Sequence, residues 1–187
     1  MCGNERYLDS FRTGEGVGVC QWWIYNEDAF LNNASFGWNC PGLHGNEPAG
    51  PYCMMDEVLS MATADPIFLA VRIGYFNRGF SEVARAFARA YRALPAVPMP
   101  IVAGAAGDRE VAVRKARVRD HTYVAVINTG LARDGKTVRL RLPEFRPGVD
   151  VLDLGSGEKL MCGHKGLELR LAPMSLRALR VSTRRGT

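Results

Sequence analysis

A chain of 187 residues with 47% apolar and 23% charged side chains has room for one medium domain, or a small domain and part of another. That composition excludes collagen, coiled-coil and disordered classes, and no apolar run reaches the ~20 residues of a membrane helix, so no membrane partner is expected. The formal charge of +5 is uneven: residues 1–98 hold 7 basic and 10 acidic side chains, residues 99–187 hold 17 and 9.

The chain opens on a helical tail, "NERYLDSF" (4–11), and one strong strand, "GVGVCQWWIY" (16–25). In that strand Val17, Val19, Gln21, Trp23 and Tyr25 share one face, and Gly18, Cys20, Trp22 and Ile24 share the other. The first face turns aromatic and polar toward its end, where Asn26, Glu27 and Asp28 follow; the second is apolar throughout. Trp22 reads as core packing. Trp23 fits either a core position or a platform for a sugar ring, because an indole face covers the C–H face of a pyranose while flanking polar groups take its hydroxyls. Residues 26–52 are rich in Asn, Gly and Pro and read as a long loop of the kind that often carries function. Trp38 in "SFGWNCPG" is a second sugar contact or a plug beneath that loop. Cys40 and Cys53 fall in the same region, where free thiols and a disulfide are both open.

Residues 47–77 are partly helical, broken at Asp65–Pro66. The clearest helix follows, at 78–94, with Phe80, Val83, Ala84, Phe87, Tyr91 and Leu94 on one face and Arg85, Arg89 and Arg92 on a solvated one. "PAVPMP" (95–100) then stops the helix and reads as a linker. Beyond it the period changes to two. "REVAVRKARV", "TYVAVINTG", "KTVRLRLP", "GVDVLDLGSG", "GLELRLA" and "SLRALRV" are expected strands with one face buried and one wet. Asp134–Gly135 and "GSGE" (155–158) are expected hairpin turns. The Arg and Lys of this half alternate with apolar residues as on a solvated sheet face, so nucleic acid is not the favoured partner. The histidines and cysteines are too scattered for a zinc site, and no P-loop, dinucleotide fingerprint or Ser-His-Asp spacing marks a cofactor or hydrolase triad.

A lone strand leaves its main-chain groups unpaired. The first half therefore reads as the last β/α unit of something larger, and the chain as the C-terminal end of a longer protein. The order of parts, with "YVAVINTG" (123–130), "VLDLGSGEKL" (151–160) and "LRLAPMSLRALRV" (169–181), resembles the C-terminal part of (β/α)8-barrel glycoside hydrolases of a retaining clan that carry an appended β-sandwich. The resemblance implies an α+β, multidomain fragment. Its parts are the end of a TIM barrel (1–95), a Pro-rich linker (96–100), an antiparallel β-sandwich (101–183) and a basic tail (184–187).

It further implies a carbohydrate partner, poly- or oligosaccharide, with the rest of the barrel upstream. No cofactor or metal is implied, and a secreted or periplasmic parent is one expectation. Trp23, Tyr25, Asn26, Glu27, Asp28 and Trp38 are the candidate substrate-binding residues, near the barrel mouth where such folds bind. Glu27 is the one candidate catalytic group, although adjacent carboxylates match the role poorly. Glycosidases place two carboxyls across the scissile bond, about 5–5.5 Å or about 6.5–9.5 Å apart, whereas neighbours on a strand point in opposite directions. The catalytic pair is thus expected upstream, and the isolated chain is expected to be inactive. The rival reading is a non-catalytic carbohydrate-binding or interaction module, in which the basic strands recruit an acidic polysaccharide. Against it, Tyr123 and Phe145 are the only aromatics those strands offer.

Overall fold

The computed structural model describes residues 54–64 and 81–182; the strand expected at 16–25 and the loop expected at 26–52 lie outside them. Among the described residues two helices, α1 (Met55–Ala64) and α2 (Ser81–Ala93), precede seven strands. These are β1 (Val111–Val118), β2 (His121–Asn128), β3 (Lys136–Leu140), β4 (Asp150–Asp153), β5 (Lys159–Met161), β6 (Leu167–Leu171) and β7 (Ser175–Ser182). The described chain is therefore mostly antiparallel sheet with few helices, an α+β pattern.

Helix α2 follows its sequence period. Ala84, Phe87 and Ala90 are buried one turn apart, while Arg85, Arg89 and Arg92 are exposed. Glu82 in the first turn and Arg92 in the last oppose the helix dipole. Phe87 and Tyr91 stack at 6.1 Å between ring centroids, a favourable i,i+4 pairing. Pro95 follows within two residues and bars further helix.

The strands form a five-stranded sheet in the order β1-β2-β7-β4-β5 and a two-stranded sheet, β3-β6, with every pairing antiparallel. Between the two sheets lies a core of Val113, Val124, Val126, Val151, Leu179 and Val181 from the larger sheet and Val138, Leu140, Leu167, Leu169 and Leu171 from the smaller. In β3 and β6 the expected alternation holds: Leu167, Leu169 and Leu171 are buried, while Glu168 and Arg170 are exposed.

Elsewhere the one-face-wet expectation fails. Ala125, Ile127, Leu176 and Ala178, on the opposite face of β2 and β7, are also buried, under α1 and α2. Helices cover this second face, so the middle of the larger sheet is dry on both sides, as in strands with near-continuous apolar runs. Ala125 and Ala178 are register partners, and their small side chains let the helix backbones approach.

Two turn expectations diverge. The "GSGE" segment joins β4 to its partner β5, as a hairpin should. Asp134–Gly135 does turn, with the Gly135 amide donating to the Ala132 carbonyl at 2.8 Å. However, it connects β2 to β3, which belong to different sheets, so it makes a crossing rather than a hairpin. Gly135 and Gly166 stand immediately before β3 and β6 at φ +69° and +103°. A Cβ on either would collide with the carbonyl oxygen of the partner strand's last residue, Leu171 or Leu140. Only glycine fits both the backbone angle and the close approach.

Candidate functional site

The residues expected to contact sugar, Trp23, Tyr25, Asn26, Glu27, Asp28 and Trp38, all lie outside the described residues. Within the described residues, unusual chemistry gathers at two places: the junction of α1 with the large sheet, and the outer face of the small sheet.

At the junction stands Arg114. The β1 register sends Val111 and Val113 into the inter-sheet core, and Ala112, Arg114 and Ala116 toward the helices. Arg114 is 1% exposed. Its Nε donates to the Met61 carbonyl at 2.7 Å, and one terminal nitrogen reaches the Ala62 carbonyl at 3.3 Å. The other donates to the Met99 carbonyl at 3.0 Å. Met61 and Ala62 belong to the last turn of α1, whose carbonyls have no intrahelical donors. A guanidinium from a strand supplies those donors and sits at the negative end of the helix dipole. The same side chain pins the proline-rich segment through Met99. Beside it a cavity of about 240 Å³ is lined by Tyr91, Leu94, Pro95, Val97 and Met99.

On α1 itself, Glu57 and Ser60 are each 1% exposed, and the Glu57 Oε2 and Ser60 Oγ have no hydrogen-bond partner among the described residues. Burial pushes the Glu57 carboxyl up to about 7, against a smaller opposing backbone hydrogen bond. The helix therefore brings a carboxyl that exchanges its proton near neutrality into an interface whose buried side chains are mostly apolar.

The outer face of the small sheet is the opposite environment. Arg139 projects from β3 and Arg141 lies one residue beyond its end, with Lys165 and His164 in the turn before β6, and all four are exposed. With Leu142, Pro143 and Phe145 they line an open cleft of about 580 Å³. Arg139 reaches Glu168 at 3.2 Å, and Arg170 donates to the Asp134 carbonyl at 3.2 Å.

Other polar clusters hold loops. Buried Asp153 accepts the Gly155 and Ser156 amides at 2.9 and 2.8 Å and the Arg177 Nε, which closes the "DLGSG" turn. Gly155 in that turn packs against Ala90 of α2. Lys136 bonds Glu110 and Asp108. These contacts, the Glu110 hydrogen bond foremost, raise the Lys136 pKa; the Glu110 backbone hydrogen bond chiefly lowers that of Asp108.

Arg114 is the residue that sequence reasoning placed wrongly, among solvated arginines. The signal was present in "VAVRKARV": in register, Arg114 is flanked by Ala112 and Ala116, small residues that mark a face something packs against.

No protein-family model matches this chain, and no curated protein matches it. Among solved structures it is similar to a GH27 β-L-arabinopyranosidase from Geobacillus stearothermophilus in complex with arabinose, at TM-score 0.47 and 13% identity over 71% of this chain and 31% of that one. It is also similar to α-galactosidase I from Mortierella vinacea, at TM-score 0.41 and 13% identity over 73% and 37%. An Anoxybacillus α-amylase gives 0.34 and 18% over 43% and 17%. These neighbours are glycoside hydrolases, and this chain spans less than two fifths of the length of each. TM-scores below 0.5 at such identity leave the likeness partial and establish neither a shared fold for the whole chain nor an activity.

Proposed function

We propose that the chain is the C-terminal portion of a carbohydrate-active glycoside hydrolase, with residues 1–95 supplying the end of a (β/α)8 barrel and residues 101–183 a β-sandwich that buttresses it. Trp23, Tyr25, Asn26, Glu27 and Asp28, with Trp38 on the following loop, are the sugar contacts at the barrel mouth, and the catalytic carboxylate pair lies upstream. The observation that supports this reading is the covered second face of the large sheet. A self-contained binding module would turn that face to its ligand, whereas here α1 and α2 occupy it and Arg114 ties down α1 and the segment that follows α2. The role of the sheets toward the helices is then mechanical: they hold the last β/α segment in place.

The test is the in-frame DNA upstream of the Met1 codon. The expected result is an open coding sequence of several hundred residues with carboxylates closing successive β/α units. A stop codon and ribosome-binding site directly ahead of Met1 would overturn the barrel reading. In a panel of aryl glycosides the isolated chain should show no turnover, and robust hydrolysis by it would equally overturn the placement of the catalysts.

A further inference from the structure

We infer that the outer face of β3 and β6, with the turn at 163–166, is a docking surface for an anionic polysaccharide, one bearing carboxylates or sulfates along its length. The choice of a polysaccharide rests on the carbohydrate reading above; the surface itself rests on charge and geometry. Arg139, Arg141, Arg170 and Lys165 stand on this face against a single acid, Glu168. Glu168 is engaged by Arg139. Arg141 and Lys165 make no side-chain hydrogen bond or ion pair to the described residues. Their charge is thus uncompensated locally and available to a ligand.

The support beneath is rigid. Arg139 and Arg141 alternate with Leu140 and Leu142, which are 0% and 6% exposed in the inter-sheet core. The two residues, one in β3 and one just past its end, therefore stand on the same side of an extended segment, about 6.8 Å apart at their Cα atoms, the two-residue repeat of extended chain. A row of fixed cations above an open cleft of about 580 Å³ fits a chain of repeating anions better than one compact ion, since each further unit adds a contact with no new cost of association. Nucleic acid is the less fitting polyanion. Single-stranded recognition uses exposed rings for base stacking, and the one benzene ring lining this cleft, Phe145, is 4% exposed.

The test uses the full chain, titrated by affinity electrophoresis and calorimetry with polygalacturonate, dextran sulfate, uncharged dextran and a duplex DNA of equal charge. Polygalacturonate or dextran sulfate should bind at 50 mM NaCl and weaken steeply by 300 mM; the two arms tell a carboxylate from a sulfate partner. R141E/K165E should lose about tenfold or more in affinity, as expected when facing charges become repulsive. R117E/R133E, an equal charge change on exposed arginines elsewhere, should stay within about threefold. R141Q/K165Q, with an unchanged thermal transition, should give an intermediate loss and guards against a folding defect. Equal losses in both reversal pairs, equal binding of uncharged dextran, tighter binding of the duplex, or no binding at 50 mM NaCl would each overturn the inference. None of these outcomes depends on the coding sequence upstream of Met1, so the surface and the barrel reading can fail separately.

Discussion

The two cores of this molecule are built from different alphabets. Between the sheets, seven valines and six leucines make up most of the sixteen buried residues. Between the large sheet and the helices, four methionines and four alanines make up eight of the twelve buried among the described residues. Branched side chains with few rotamers specify one sheet-on-sheet packing, whereas methionine fills irregular gaps and tolerates adjustment. All four buried methionines among the described residues lie at the helix interface, together with the buried polar groups Arg114, Glu57 and Ser60. Sheet-on-sheet packing is thus a fixed joint. The helix junction is an adaptable one, with directional bonds supplying the specificity that its soft packing lacks.

The sharpest break of that contrast is Arg114→Ala. It would leave the Met61, Ala62 and Met99 carbonyls without their donor, at a cost of about 3–5 kcal/mol in urea unfolding. A loss below 1 kcal/mol would mean that water replaces the guanidinium and that the junction is not held by it. Next, Leu179→Ala in the inter-sheet core should cost about 3–4 kcal/mol. Met174→Leu in the helix interface should cost less than about 1.5 kcal/mol, because volume is nearly conserved. Equal penalties for the two would erase the distinction between fixed and adaptable cores.

Glu57 makes the junction pH-sensitive. Its folded pKa lies at about 7, above the ordinary 4.5, so the native state holds the proton more tightly than the unfolded chain. Stability contributed by the neutral carboxyl is complete below pH 4.5 and declines as pH rises through 7, by about 3 kcal/mol in all. Glu57→Gln should flatten that slope in melts between pH 5 and 8, and an unchanged slope would locate the titrating group elsewhere. The smallest effect is expected at the exposed pair Arg139–Glu168, where Glu168→Gln should change stability by less than about 1 kcal/mol.

How much of this could be read beforehand depends on where a residue's environment is written. The alternation of "KTVRL" and "LELRL" carries its own faces, and β3 and β6 follow it. Helix α2 is likewise legible, because its arginine stripe and apolar stripe are local facts. The second buried face of β2 and β7 depends on helices that lie from 28 to 127 residues away in the chain. The run "YVAVI" pointed toward it, but Arg177 and Arg180 in "SLRALRV" masked it in β7. Arg114 was lost for the same reason: a buried guanidinium and a solvated one look alike until the carbonyls they meet are known. Asp134–Gly135 announced a turn correctly and its partner strands wrongly, since turn chemistry fixes a bend and not which sheet the chain enters next. The aromatic and acidic residues from Trp23 to Asp28, and Trp38, were the strongest functional signal in the sequence, and they lie outside the described residues.

The glycines that open β3 and β6 carry a consequence for how this molecule can change over time. A two-stranded ladder is too small to hold itself in water, and a slip of one residue would turn its leucines outward. With Gly135 facing the end of β6 and Gly166 facing the end of β3, the ladder is gauged from both ends. A single-residue insertion in either strand shifts a glycine off its mark and inverts a face at once. Variation in length should therefore be confined to the stretches outside the gauge, the 129–134 crossing and the 141–149 connection. The five residue pairs between the glycines can vary in the chemistry of their outward side chains but not in their number. That freedom falls on the positions of Arg139 and Arg170, where charge is displayed, so the surface can be re-tuned for new partners without disturbing the frame that presents it.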